Sequence, residues 1–410
     1  RPKIVDVVRS SINAIRGGEV IQLRLKEVII KNFRGYREET RIQIHSDLTA
    51  FIGRNDVGKS SIFDALAIFF DSPLVKIEQT DLCVYSQSEE NEIRIGCVFD
   101  ELPNTITLDV TSTTNLQDEY LVNASGCLEI YKIFDCSLKT LKAKIVANAQ
   151  HPTANGYADL LELKNSDLKN RLRQMNIEDA DQRNNPLMRK ALWKNCSDLQ
   201  LSLTEVELNK EDAKKIWEQI QSYLPVFALF RSDRPSTDED KEIQNPMQLA
   251  IQQVISELTN DLRQIEDKVR NAATDVAERT LQKLKELDPN LAKELNPSFR
   301  SDPKWESLFK LTLATDDQIP VNKRGSGVRR LILLAFFRAE AERCFLENSK
   351  SNIIYAIEEP ETSQHPSNQR AIIQALKTLS STDGYQVLIS THVPGLAEMI
   401  PTDALRYNKD

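Results

Sequence analysis

The sequence predicts an α/β fold built on a parallel sheet, with a mostly helical segment inserted into it. Three observations support this prediction. A glycine-containing loop at 53–60 stands between an apolar run at 48–52 and a helix-like run at 60–70. Late in the chain, the apolar run 353–357 ends in two acids, and the apolar run 386–389 is soon followed by a histidine. Short, almost wholly apolar runs are typical of parallel strands that are buried on both faces.

The loop at 53–60 reads Gly-Arg-Asn-Asp-Val-Gly-Lys-Ser and fits the phosphate-binding pattern G-x-x-x-x-G-K-[ST]. In such a loop the glycines let backbone N–H groups turn inward, and the helix N-terminus adds partial positive charge. We expect Lys59 to reach the β- and γ-phosphates of a nucleotide and Ser60 to bind Mg²⁺. The flanking strand and helix are the context that this site requires.

Two strand ends are predicted to supply the rest of the site. Glu358 and Glu359 follow the run 353–357, and buried parallel strands deliver polar groups to their carboxyl ends. The first acid could support Mg²⁺ and the second could polarise a water for attack on the γ-phosphate; the alternative is a solvated acidic turn. His392 follows the third run at the position of a γ-phosphate sensor, although a single histidine is often only structural.

Two further segments have open interpretations. Gly325-Ser326-Gly327 precedes an apolar helix at 331–337, which predicts a second anion-binding helix N-terminus or an ordinary capped loop. The apolar strand 224–230 runs into Arg231 and Arg234. These arginines could contact nucleotide, nucleic acid or a partner, or they could form salt bridges at the strand end.

Together these segments resemble the ABC-type ATPase head of the SMC, RecF and OLD proteins. The residues that match are 53–60 for Walker A, 353–359 for Walker B, Ser326-Gly327 for the signature, 361–363 for the D-loop and His392 for the H-loop. Residues 29–35 are similar to the family's first strand, which typically ends in Asn-Phe-Arg. Residues 357–366 are close to the "DEPE…LHP" form of OLD-like ATPases, and the phosphate loop resembles that of the GajA-type OLD nucleases.

The resemblance implies a two-lobed ABC-type P-loop ATPase head that uses ATP and Mg²⁺ and works as a homodimer or higher assembly. It implies catalytic roles for Glu359, His392 and Lys59, and metal binding by Ser60 and Glu358. The implied nucleotide contacts are Arg34, Gly53, Asn55, Gly58, Lys59, Ser60, Ser61, Ser326 and Gly327. In this architecture Ser326 and Gly327 complete the phosphate site of the other protomer.

The chain departs from the family pattern at three points. Glu358 stands where Walker B usually has Asp, which changes the reach of the metal-binding carboxylate. The signature lacks the common Leu-Ser-Gly-Gly-Glu/Gln form, and Arg329 stands near its acidic or amide position. The sequence does not locate the Q-loop glutamine.

The motifs divide the chain into four predicted segments. Residues 1–20 are a basic-leaning arm or a tag remnant, and 21–150 form the lobe with Walker A. Residues 151–300 are a mostly helical insertion, coiled-coil-like at 247–284. Residues 301–410 form the lobe with the signature, Walker B, D-loop and H-loop.

Within the insertion, apolar residues recur with the 3.5-residue period of a coiled-coil seam. They are Ile251, Ile255, Leu258, Leu262, Ile265, Val269, Ala272 and Val276. We expect this seam to bury a protein surface within the lobe or across a dimer; the alternative is a long core helix of a bundle. In OLD-like and SMC-like heads, an insertion here makes the dimer or the arm, and this one is too short for an SMC arm.

The amino-acid composition limits the classes of partner and the compartment that we expect for this protein. Lys and Arg number 53 against 61 Asp and Glu, a net charge of −8, which argues against a nucleic-acid footprint over the whole surface. A local basic group at Lys323, Arg324, Arg329 and Arg330, or the N-terminal arm, leaves DNA binding open, although phosphate contact across the dimer is the favoured role of Arg324 and Arg329. The six cysteines form no C-x-x-C pair, which favours free thiols in a reducing cytosol. The sequence has no signal peptide or bilayer-length apolar run, so we expect a cytoplasmic protein without a membrane partner.

Nuclease chemistry is not predicted from these residues alone. The acidic segments 179–181 and 238–240 lie in polar surroundings and are expected to be solvated loops. OLD proteins usually carry a C-terminal Toprim nuclease domain, which would begin near Asp410. We therefore expect a missing Toprim domain or a separate effector protein.

The resemblance implies a motor or sensor ATPase of a DNA-directed nuclease system in anti-phage defence. The alternatives are a RecF- or SMC-like DNA-repair clamp and a nucleotide-bound scaffold that cages an effector.

Overall fold

The computed structural model describes residues 23–54, 57–86, 90–109, 112–177, 181–182, 184–231, 254–255, 258–287, 305, 335, 339, 353–362, 366–382 and 384–407. They fall into two compact units. One is drawn from Arg1–Asp233 and Phe337–Asp410, and the other from Arg234–Phe336. The predicted arm at 1–20 and the loop around Ser326 lie outside the described residues.

Strands and helices are numbered separately in chain order. The described strands are β1 (Arg24–Lys31), β2 (Thr40–Gln43), β3 (Leu48–Ile52), β4 (Glu92–Asp100), β5 (Ile106–Asp109), β6 (Ser112–Thr114), β7 (Leu128–Asp135), β8 (Ala143–Pro152), β9 (Leu201–Glu207), β10 (Val226–Phe230), β11 (Ile353–Glu358), β12 (Tyr385–Thr391) and β13 (Leu405–Tyr407). The described helices are α1 (Lys59–Phe69), α2 (Asn165–Gln174), α3 (Asn185–Asn195), α4 (Glu211–Gln221), α5 (Thr259–Leu287), α6 (Pro366–Ser380) and α7 (Pro394–Ala397).

The larger sheets of the first unit differ in strand direction. Six strands pair antiparallel in the order β2-β1-β4-β7-β8-β9. Five strands pair parallel in the order β10-β11-β12-β3-β13. Every residue of β12 is buried, as expected for a central parallel strand covered on both faces. The predicted α/β fold is confirmed, and the three apolar runs named from the sequence form β3, β11 and β12.

Helix α1 packs against β1, β4 and β10 and belongs to one continuous core with residues of both sheets. From Ile62 to Phe69 every residue of α1 is buried, so beyond its first turn this helix has no face toward solvent. Phe63 meets Phe51 of β3 edge to face at 5.6 Å between ring centroids. Phe70, just beyond the helix, stacks on Phe227 of β10 at 5.3 Å. These two contacts hold the first half and the end of α1 against the parallel sheet.

A buried amide side chain joins the two sheets. Gln386 of β12 accepts a hydrogen bond from the Leu25 backbone N–H at 2.9 Å and donates one to the Leu25 carbonyl at 2.8 Å. It also donates to the His45 carbonyl at 3.3 Å. The Gln386 side chain therefore pairs with β1 as a neighbouring strand would.

The segment 151–231, predicted as part of a mostly helical insertion, contributes to the first unit. Its helices α2, α3 and α4 share the core of that unit, and β9 is the edge strand of the antiparallel sheet. Leu201 and Leu203 of β9 are 51% and 56% exposed, because this edge strand is covered on neither side along its first half. An amphipathic edge strand lacks the apolar run that marks the central strands.

A fully buried arginine ties α3 to its surroundings. Arg189 of α3 is 0% exposed and donates two hydrogen bonds to Glu119, both at 2.8 Å, and one to Asp212 of α4 at 2.6 Å. Burial by itself raises the pKa of Asp212, but the charge and hydrogen bond of Arg189, with those of neighbouring donors, lower it below its usual value. The core can hold the Arg189 guanidinium because carboxylates pair with it on two sides.

The second unit is described mainly through α5, which includes most of the predicted coiled-coil-like seam. The seam residues Leu258, Ile265, Val269 and Val276 are 44%, 48%, 61% and 64% exposed. Leu262 is half-buried, and Ile251 lies outside the described residues. Among the described helices, none is both long enough and apolar enough to cross a membrane.

We predict that Arg189→Met destabilises the first unit by about 3–5 kcal/mol, because it leaves buried Glu119 without its cation and leaves Asp212 with Lys215 only. The matched control is Lys190→Met, which removes the neighbouring lysine from an exposed pair with Asp118 and should cost less than about 1 kcal/mol. Chemical denaturation followed by circular dichroism measures both. Equal midpoints for the two variants would contradict the assigned role of Arg189.

Candidate active site

The phosphate-binding loop leaves β3 and ends at the first turn of α1. Gly58 has φ 86° and ψ 8°, a left-handed conformation that glycine adopts without strain. A Cβ at this position would also lie 3.1 Å from the Tyr36 ring. The Tyr36 hydroxyl donates to the Gly58 carbonyl at 3.2 Å. Glycine is therefore required here both by the backbone conformation and by the aromatic ring beside it.

Lys59 is the first residue of α1, and its side chain turns back into the loop. It is 5% exposed, and its ammonium group donates to the Gly53 carbonyl at 2.8 Å and to the Arg54 carbonyl. These two carbonyls hold the Lys59 ammonium group inside the loop, where an incoming phosphate would lie. Ser60 is exposed and Ser61 half-buried on the first turn of the same helix.

The parallel strands bring distant residues to the same edge as this loop. Ile357 of β11 pairs with Ile389 of β12, and Thr391 of β12 pairs with Ile52 of β3. Because neighbouring parallel strands end together, Glu358, Glu359 and His392 emerge beside Gly53. The sequence expectation that these residues meet at one edge therefore agrees with the observed geometry.

Glu359 is held in an unusual backbone conformation directly after β11. Its φ is 43°, a left-handed value that is uncommon outside glycine and often found at active sites. The Glu359 N–H donates to the Ser390 carbonyl at 3.0 Å and to the Ser390 hydroxyl at 3.3 Å, which fixes this conformation. The Glu359 carboxylate accepts from the Thr362 hydroxyl at 3.1 Å.

His392 lies between two carboxylates. Its Nδ1 is 3.3 Å from Glu359 Oε1 and 3.6 Å from Glu361 Oε1. Glu361 is 3% exposed and is oriented by a 2.6 Å hydrogen bond from the Thr391 hydroxyl. The imidazole is 42% exposed, so it can reach solvent or a ligand while its orientation is set by the two acids.

Arg34 is bound to two acids near the phosphate loop. Its Nε donates to Asp81 Oδ1 at 2.8 Å, and its Nη1 pairs with Asp64 of α1. Arg34 also has a left-handed φ of 52°, and its backbone N–H donates to the Asp81 carbonyl at 2.7 Å. Backbone and side chain are thus both fixed by Asp81, and the guanidinium lies against the helix that follows the loop.

Arg231, the first residue after β10, is part of the same cluster. Its Nη2 pairs with Asp64, and its Nε lies 3.7 Å from Glu358 Oε2. Of the alternatives that the sequence left open for Arg231, the structure shows salt bridges at the strand end. Arg234 lies outside the described residues.

Some predicted site residues cannot be placed, and others were missed. Asn55, Ser326 and Gly327 lie outside the described residues. Asp64, Asp81 and Tyr36 were not predicted as part of the site. Asp64 had one visible signal, because it is the single charged residue in the otherwise apolar run 62–70. A charge within such a run indicates a buried partner of opposite sign.

Comparison with known proteins identifies a family. Residues 24–397 match the family model described as AAA ATPase domain, AAA_15, which is most of the chain. Over 133 residues the chain is 32% identical to the Old nuclease of Escherichia phage P2, a match that covers 28% of this chain and 22% of that protein. Over 132 residues it is 26% identical to the DNA replication and repair protein RecF of Lactococcus lactis, covering 29% of this chain and 35% of RecF. The matches therefore span about a fifth and a third of these relatives.

Among solved structures, the SMC head domain from Thermotoga maritima aligns with a TM-score of 0.37 and 13% identity, covering 94% of each chain. The SMC head bound to the C-terminal winged-helix domain of ScpA aligns with a TM-score of 0.39 and 11% identity, covering 92% of this chain and 91% of that one. The resemblance read from the motifs is confirmed by the family match and the two relatives. The site described above, with its phosphate loop and two strand-end acids at one sheet edge, is thus the site of an ATPase. The chain is a member of the AAA_15 family of AAA ATPase domains.

Proposed function

We propose that this ATPase is the motor or sensor part of a DNA-directed nuclease system, with Lys59 and Glu359 as its main catalytic groups. The observation that carries the ATPase mechanism is the meeting of the phosphate loop, Glu358, Glu359 and His392 at one sheet edge. The link to a nuclease is supported by the similarity to the Old nuclease, and a role in anti-phage defence follows from that link. We place the protein in the cytoplasm.

The residues at the sheet edge fit a bound Mg²⁺·ATP. The Ser60 hydroxyl and Glu358 carboxylate are oxygen donors of the kind that Mg²⁺ prefers, and a P-loop metal needs few protein ligands because phosphates and waters complete its shell. Among the residues that the structure describes, there is no group of three or more His, Cys, Asp or Glu that could hold a metal. When bound, Mg²⁺ neutralises charge on the β- and γ-phosphates.

Each side chain has a defined task in this proposal. The Lys59 ammonium exchanges its carbonyl partners for phosphate oxygens, which are stronger acceptors. Glu359 orients and polarises the attacking water, and its backbone bonds to Ser390 hold it in place. His392 senses the γ-phosphate from a position already aligned by Glu359 and Glu361.

The second candidate function is a DNA-repair clamp with slow turnover, which the similarity to RecF favours. In both cases we propose that ATP is shared between two protomers, with Ser326 and Gly327 of one copy closing the site of the other. Such an arrangement requires a dimer contact, and the exposed seam of α5 provides an apolar surface for it.

We predict that Lys59→Ala abolishes nucleotide binding. Glu359→Gln should preserve binding and lower turnover by about 10²- to 10⁴-fold, because this variant loses only the water-polarising carboxylate. Binding of a fluorescent ATP analogue and phosphate release measure the two effects. Glu38→Gln, at an exposed acid, is the control for the charge change. Equal turnover in wild type and Glu359→Gln would refute the role of Glu359.

We predict that Val269→Asp lowers the oligomeric mass or the thermal midpoint. A charge placed in an apolar contact between two copies costs on the order of 2–5 kcal/mol. Val269 is 61% exposed in the single chain, so the loss is expected from contact with a second copy. Asn271→Asp adds the same charge two residues away at an exposed position. Light scattering after gel filtration reports the mass; no change in either property would show that the seam stays in water.

We predict that the purified chain hydrolyses ATP weakly and does not cut plasmid DNA with Mg²⁺ or Mn²⁺, since the nuclease is assigned to another domain or protein. Any DNA binding should weaken steeply as salt rises, because it would depend on local basic groups. Gel analysis of plasmid and filter binding at several salt concentrations test this. Metal-dependent cleavage that persists in Glu359→Gln would reveal a nuclease site within the 410 residues.

A further inference from the structure

Four charged side chains of alternating sign connect the end of β1 to the end of β11. Arg34 pairs with Asp64, Asp64 pairs with Arg231, and Arg231 lies 3.7 Å from Glu358. The side chains of Asp64, Arg231 and Glu358 are 8%, 17% and 12% exposed. Charges this sheltered are stable only when they are paired, so each member depends on its neighbours.

The position of Arg231 follows from the sheet. β10 and β11 are parallel neighbours, and Phe230 pairs with Ile357. The residue after Phe230 is Arg231, and the residue after Ile357 is Glu358. The arginine therefore emerges beside the carboxylate that the proposed function assigns to Mg²⁺. A guanidinium and a metal ion cannot both use this carboxylate fully, because each one neutralises the same charge.

Asp64 gives Arg231 a second partner. Arg34 also pairs with Asp81, at 2.8 Å, so Asp64 does not balance Arg34 alone and can share its negative charge with Arg231. If Arg231 releases Glu358, it keeps the ion pair with Asp64 and no buried guanidinium is left unpaired. The exchange of one cation for another at Glu358 therefore avoids the large cost of an isolated buried charge.

We propose that Arg231 is a positioning residue that occupies the cation position beside Glu358 until Mg²⁺ replaces it, and that Asp64 sets how tightly it does so. This inference rests on the proposed function, because it takes Glu358 as a metal-binding group. Metal entry at this site is then an exchange between cations. Arg231 therefore raises the Mg²⁺ concentration that nucleotide binding needs. Asp64 lowers it, because it draws Arg231 away from Glu358.

The test is a Mg²⁺ titration of fluorescent ATP-analogue binding to the full chain at constant ionic strength. Arg231→Met removes the competing cation and should lower the half-saturating Mg²⁺ concentration by about three- to tenfold, the scale of one partly exposed ion pair. Asp64→Asn removes the second partner of Arg231 and strengthens its hold on Glu358, so the half-saturating Mg²⁺ concentration should rise. The double variant should behave like Arg231→Met, because Asp64 acts through Arg231.

Arg24→Met is the matched control. It removes an ion-paired arginine from the opposite end of β1, where Arg24 contacts Asp100 and Glu101, and it should leave the titration unchanged. Thermal midpoints of all variants establish that each one is folded; a variant that fails is replaced by Arg231→Gln or Asp64→Ser.

Two results would overturn the inference alone. One is an unchanged half-saturating Mg²⁺ concentration in Arg231→Met and Asp64→Asn. The other is weaker nucleotide binding by Arg231→Met at saturating Mg²⁺ with no shift in the titration, which would make Arg231 a phosphate ligand. Failure of the wild-type chain to bind the nucleotide with Mg²⁺, or binding by Lys59→Ala equal to wild type, would instead overturn the proposed function together with the inference.

Discussion

The register of the buried parallel strands is the constraint on which the site depends. β3, β11 and β12 come from opposite ends of the chain, and their pairing alone places Gly53, Glu358 and His392 at one edge. A shift of one residue would turn each apolar side chain to the other face and move each strand-end group by about 3.3 Å. Because these strands are buried on both faces, a shifted register could not match the packing of α1 on one side and the neighbouring elements on the other. The placement of these three residues at one edge therefore follows from core packing.

Charge is handled differently in the core and at the site. Around Arg189 the guanidinium and its two acids are almost completely buried, and this arrangement is suited to holding helices in place. Around Asp64 each charge is shared between partners on separate elements, and one end of the series reaches a residue assigned to metal binding. Shared partners allow one contact to be replaced without isolating a charge. The first cluster therefore favours rigidity, and the second favours exchange.

The sequence was most informative where a short run of residues requires one backbone conformation or requires burial. Gly58 needs a left-handed backbone, and the runs that became β11 and β12 need burial, so both could be read without knowing any partner. Their terminal acids and histidine were predicted for the same reason. β9 was missed because an exposed edge strand has no apolar run, and the pairing of Asp64 with Arg231 was missed because the two lie 167 residues apart and only the folded sheet brings them together. The roles of Ser326 and Gly327 remain predictions.

The hydrogen bonds of Gln386 have a mechanical consequence. Because the amide engages both the N–H and the carbonyl of Leu25, it resists sliding of β12 along β1 in either direction. Arg34 lies just beyond one end of β1, and His392 lies just beyond the end of β12, so the Gln386 hydrogen bonds join the two strands from which these residues emerge. Sliding of either strand would break these hydrogen bonds, whereas side chains and loops at the sheet edge can change position without breaking them. Replacing this glutamine would remove the hydrogen bonds that hold β12 in register with β1.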